Sequence, residues 1–91
     1  RRPQVSNLYL NIALDDVAEQ EALFRRVNTR LLEHFPTLDF RRLDTRDGIL
    51  QLTYFVTCDD PNLLNDLVDD LKANLPVREI SFIQQEQLLG G

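Results

Sequence analysis

The order of hydrophobic patterns constrains this chain more than any single residue does. Residues 5 to 14 alternate apolar and polar, 17 to 35 repeat at helical spacing, and 37 to 45 return to a looser strand pattern. Residues 49 to 58 then alternate again, 61 to 75 are helical in period, and 77 to about 83 are extended. A period of two puts alternate side chains on opposite faces of a strand, whereas a period near 3.6 paints a stripe along a helix. Asp47-Gly48, between the second and third strands, supplies the backbone freedom of a tight antiparallel hairpin. The sequence strand, helix, strand, strand, helix, strand consumes nearly all of the 91 residues and leaves little loop from which to build an active site.

Each pattern assigns an inner and an outer face. In the first strand Leu8, Leu10, Ile12 and Leu14 share one side, and Tyr9, Asn11 and Ala13 the other. Asp15 or Asp16 stands where a helix N-cap belongs, with Glu19 as first-turn negative charge. Leu23, Val27, Leu31 and Phe35, flanked by Phe24 and Leu32, form a stripe that ends at Pro36. The third strand points Leu50, Leu52, Tyr54, Val56 and Cys58 inward and Ile49, Gln51, Thr53, Phe55 and Thr57 outward. Asp60-Pro61 is a helix start, Leu64, Leu67, Val68, Leu71 and Leu75 the buried stripe, Pro76 the stop, and Ile80 with Phe82 the inward pair of the last strand. The second strand is irregular: Leu38 and Phe40 share a parity that Leu43 breaks, so a bulge or a change of exposed face is expected. Together these predict one α+β domain over residues 1 to 91, a ferredoxin-like βαββαβ unit. Its four-stranded antiparallel sheet has order 4-1-3-2 and both helices on one face.

Ten basic and fifteen acidic residues give a net charge of -5, which disfavours generic nucleic-acid binding. Tyr9 and Phe55 could stack bases, but residues 48 to 58 do not match the RNP1 pattern, so no nucleic-acid partner is expected. No apolar run approaches the roughly 20 residues of a membrane span, and the fragment is expected to be soluble. The lone Cys58 has no disulfide partner and reads as a small buried hydrophobe. The chain contains no methionine and is expected to be a piece of a longer protein.

Catalytic constellations are missing, so no enzyme, cofactor or metal is expected. His34 is the only histidine and has no second histidine or cysteine at a ligand spacing. Asp66, Asp69 and Asp70 share one side of the second helix opposite its leucines, the pattern of a solvated acidic face rather than an oxygen cage for a hard cation. Arg41, Arg42 and Arg46 around the hairpin could approach Arg25, Arg26 and Arg30 on the first helix as an anion or lipid-headgroup site, although Asp39, Asp44 and Asp47 would neutralise much of their field. Two helices on one face of the sheet leave the other bare. That face carries Tyr9, Ile49, Phe55 and Ile83, with Leu43 as a further member, and is the candidate interaction surface of a homo-oligomer.

The run FRRLDTRDGILQLTYFV from Phe40 to Val56, the Asp-Pro helix start, Leu-Pro-Val-Arg-Glu-Ile-Ser-Phe and the glutamine-rich close resemble the cytosolic C-terminal domain of bacterial multispanning membrane proteins with ACT-like tails, the MgtC family and a poorly characterised relative. The resemblance covers nearly the whole chain and carries no catalytic residues. It implies a non-enzymatic regulatory or self-association module on the cytoplasmic face of the bacterial inner membrane, joined to transmembrane helices upstream of Arg1. An ACT-type sensor that binds a small effector at a domain interface is the alternative. Its usual glycine-containing loop after the first strand is here Leu14-Asp15-Asp16-Val17, whose charges would repel a carboxylate ligand.

Overall fold

The structure is a computed structural model that describes residues 6–15 and 19–84. Its elements are β1 (Ser6–Asp15), α1 (Gln20–Leu32), β2 (Asp39–Arg46), β3 (Ile49–Cys58), α2 (Asn62–Asn74) and β4 (Val77–Gln84). The strands form one antiparallel sheet in order β2-β3-β1-β4, which is the expected 4-1-3-2 arrangement traversed from the opposite edge.

Alternation in β1 and β3 sets the core. Leu8, Leu10, Ile12 and Leu14 lie opposite Val56, Tyr54, Leu52 and Leu50, and all eight are buried. Leu23, Val27, Leu31 and Phe35 from the α1 region, with Leu67, Leu71 and Leu75 from α2 and its end, close the same cluster, so both helices cover one face of the sheet. Cys58 is buried and free, and its thiol reaches the Asp60 carbonyl at 3.1 Å.

The Asp47-Gly48 turn has φ of 53° and 74° at its two residues, the paired left-handed conformation of a type I′ hairpin, and it sets Arg46 opposite Ile49. Asp60 starts α2 as its sequence suggests, because its carboxylate accepts the Asn62 amide at 3.0 Å. The start of α1 differs from expectation. Asp15 is not its cap: it is the last residue of β1, opposite Ile49, and pairs with Arg78 at 3.0 Å, while α1 begins at Gln20 with Glu19 in the cap position. Asp16 lies outside the described residues.

The irregular strand contains a bulge. Phe40 faces Tyr54 and Arg42 faces Thr53, leaving Arg41 as the extra residue. The insertion resets the parity, so Leu43 sits opposite core-facing Leu52 and joins Phe40 on the helix side. Leu43 therefore does not belong to the bare face. Phe40 bridges the layers there, with ring centroids 5.0 Å from Phe24 and 5.6 Å from Tyr54.

The open sheet face as a candidate interaction site

Register fixes which outward side chains meet. Phe55 of β3 lies opposite Tyr9 of β1, and Tyr9 lies opposite Ile83 of β4, so the three form one row across the sheet. The Tyr9 and Phe55 rings are 5.0 Å apart and tilted by 57°, a favourable aromatic geometry. Ile83 ends the row on the edge strand and remains 55% exposed. At the other end the bulge aims Arg41 over the Phe55 ring at 5.1 Å, a cation–π contact, and Arg41 also pairs with Asp39 at 2.8 Å. That arginine hydrogen bond holds the Asp39 carboxyl below its ordinary value.

Ile49 is not part of this row. Gln51 and Thr53 stand between it and Phe55 on the same face, and six residue steps along the strand separate the two by roughly 20 Å. The middle of the face is polar. Thr53 donates to the Asn11 side chain at 2.7 Å and Thr57 to Asn7 at 3.3 Å. Ala13, between Gln51 and Glu79 in the register, leaves a depression of ≈ 230 Å³ whose walls include Asn11, Arg42, Gln51, Thr53 and Glu79.

The arginines do not assemble into one anion site. Arg42 shares the open side with Thr53, whereas Arg25, Arg26 and Arg30 belong to α1 across the sheet. They are occupied locally: Arg25 with Glu21 at 2.8 Å, Arg42 with Asp44 at 2.9 Å, and Arg26 on the Asn74 carbonyl at 2.8 Å, where a cation favours the C-terminal end of α2.

Sequence reasoning missed a polar clamp between the helices. Asp70 does not lie on a solvated face with Asp66 and Asp69. Its side chain is 13% exposed and accepts from Arg30, from His34 Nε2 at 2.6 Å and from Asn74 Nδ2 at 2.7 Å. A carboxylate only accepts, so Nε2 of His34 carries a proton. The His34 hydrogen bond, with those from Arg30 and Asn74, holds the Asp70 carboxyl below its ordinary value against the opposing effect of burial. The signal available in sequence was the four-residue spacing of Arg30 and His34, which puts two donors on one side of the first helix and its end. A second link joins helix and sheet: the Tyr54 hydroxyl donates to the side-chain Oδ1 of Asn28, and burial pushes the phenol well above its usual range.

Among the described residues no group of three or more histidine, cysteine, aspartate or glutamate side chains is arranged to hold a metal ion. No protein-family model matches the chain, and no curated protein does. Among solved structures it is similar to a de novo designed protein, Foldit4, with a TM-score of 0.56 and 12% identity over 92% of this chain and 99% of the design. A likeness at that identity is one of fold alone, and it agrees with an α+β domain of two helices on a four-stranded antiparallel sheet.

Proposed function

We propose that this chain is a ferredoxin-like, ACT-like regulatory domain, without catalysis of its own, that works by associating with a second copy of itself as the cytosolic tail of a bacterial membrane protein. The observation that carries the association is the Phe55–Tyr9–Ile83 row, an apolar strip left uncovered on the face away from the helices. The membrane part rests on the sequence resemblance of residues 40 to 56 and their sequel. Among the described residues no helix is long and apolar enough to cross a membrane, so the spans would be supplied by other parts of the protein.

Sedimentation velocity across a concentration series tests the association. Taking one phenylalanine out of an apolar contact costs about 2 kcal/mol, roughly 30-fold in Kd. Phe55→Asp should shift the chain toward monomer by at least that factor while leaving its circular dichroism unchanged. A wild-type chain that stays monomeric at the highest concentration would sink the reading.

The second reading, a small-ligand sensor, is favoured by one feature, the depression with Arg42 and Glu79 among its walls. Groups of opposite charge beside amides and a hydroxyl suit a small polar effector. Thermal shift against amino acids, nucleotides and divalent ions would reveal a binder, since a ligand at a hundred times its Kd stabilises by about 2.7 kcal/mol. The absence of any shift at saturating concentrations would remove this alternative.

A further inference from the structure

Register turns the open face into a grid. Arg42, Thr53, Asn11 and Ser81 form one row from β2 to β4, and Asp44, Gln51, Ala13 and Glu79 form the next. Ala13 has the smallest side chain of its row, so the depression lies over it, with Gln51 and Glu79 to either side and Asn11 and Thr53 along one rim. Its charged walls stand at opposite ends, Arg42 on β2 and Glu79 on β4. Both are available to a ligand. Glu79 forms no ion pair among the described residues, because neighbouring Arg78 is taken by Asp15 at 3.0 Å. Arg42 holds only Asp44, and a pair whose side chains are 68% and 35% exposed is weak enough to open. Between the two, the Thr53 hydroxyl occupies Oδ1 of Asn11, whereas Nδ2 of Asn11 and the Gln51 amide have no hydrogen-bond partner among the described residues.

From this layout we propose that the depression binds a dipeptide, with its ammonium on Glu79, its carboxylate on Arg42 and its amide between them against Asn11 and Gln51. The proposal rests on the small-ligand reading and names the ligand class and its orientation. Length selects the class. Three strand spacings and two residues of rise set the Arg42 and Glu79 backbones about 16 Å apart. Ion pairs of about 3 Å at each end and a modest inward lean of both side chains leave about 5–8 Å between the ligand's own charges. Two extended residues span about 7 Å, whereas an α-amino acid keeps its charges within one residue, about 3 Å, and reaches only one wall. The volume of ≈ 230 Å³ lies below the roughly 300–1,000 Å³ of sites for larger ligands, which suits one this small.

Isothermal titration of the wild-type chain with diglycine, glycine, N-acetyl-diglycine and diglycine amide reads out this arrangement. Diglycine should bind, and each of the others, short of reach or of one charge, should bind about fivefold more weakly or worse. Two substitutions at exposed positions then assign the ends. Arg42→Gln should lose the preference for the free carboxylate over the amide and keep that for the free ammonium. Glu79→Gln should do the reverse, and both should leave circular dichroism unchanged. Diglycine bound no better than its capped forms, or preferences untouched by either substitution, would overturn the proposal. A thermal shift with a nucleotide, a divalent ion or a single amino acid but none with diglycine would also overturn it and leave the small-ligand reading standing. No shift with any of them would overturn both.

Discussion

Asp70→Ala probes the helix clamp, and its expected cost can be worked from the contacts. The substitution strips His34 and Arg30 of their shared carboxylate and Asn74 of an acceptor. The Arg30 Nε is already buried without a hydrogen-bond partner among the described residues, and once Asp70 is gone the guanidinium keeps only Glu33, at 3.8 Å, as an anionic neighbour. A hydrogen bond to a charged group contributes about 1.5–3 kcal/mol, and breaking a fully enclosed ion pair costs about 3–5. Here the His34 and Arg30 side chains are 18% and 33% exposed, so water recovers part of the loss. The expected destabilisation is about 2–3 kcal/mol, which lowers Tm by roughly 10–20 °C for a domain of this size. Urea titration at pH 7 should show a reduced midpoint at unchanged slope, because the surface exposed on unfolding is the same. Asp66→Ala and Asp69→Ala, exposed on the same helix, should stay within about 0.5 kcal/mol of wild type. The pH dependence has a fixed sign. A carboxyl held below its ordinary value stabilises the fold above the unfolded value and loses that contribution as pH falls through the folded one. The gap between wild type and Asp70→Ala should therefore close progressively in acid below about pH 4. A variant as stable as the Asp66 and Asp69 controls, or a gap that widens in acid, would refute this account of the clamp.

Two further substitutions separate backbone from side-chain effects. Gly48→Ala meets nothing within 4 Å, so a loss of about 1–2 kcal/mol in chemical denaturation would report only the cost of φ 74° for an L side chain, and no loss would contradict the type I′ turn. Tyr54→Phe removes the hydroxyl that Asn28 accepts from and should cost about 1 kcal/mol in the urea midpoint, whereas an unchanged or raised midpoint would mean that the helix-to-sheet hydrogen bond contributes nothing net.

Strand alternation was the most legible level of this chain. The inward sets of β1 and β3 are buried as their parity demands, because a two-residue period leaves no choice of face once one side is core. The bulge in β2 was legible as a broken parity but not in its consequence. Without the insertion Leu43 would fall on the other face, and nothing between Phe40 and Leu43 marks Arg41 rather than Arg42 as the extra residue. Asp15 was misassigned because an aspartate before a helix reads as a cap, whereas pairing with Ile49 and the ion pair to Arg78 keep it in the sheet. Asp70 was misplaced for a different reason. A helical projection shows which side opposes its own leucines, but not that a neighbouring helix runs beside the remainder, and only the tertiary arrangement brings Arg30 and His34 there. In the interaction surface, strand parity grouped Ile49 with Tyr9, Phe55 and Ile83 on one face. Pairing register was needed to show that three of them share a row and the fourth stands apart.

The central position of β1 also dictates when this protein can finish folding. Leu10 meets Tyr54 on one side and Phe82 on the other, so the first strand to leave the ribosome is flanked only by strands from the second half of the chain. Such distant pairings carry a loop-closure cost before any contact offsets it, and they slow the search. The β2–β3 hairpin, closed by its two-residue turn, needs no such wait and is the natural nucleus. During synthesis the apolar side of β1 stays without its sheet neighbours until β3 emerges, and it gains its last one only with β4. Of the four strands, the one that finishes the sheet is thus also the last to be made.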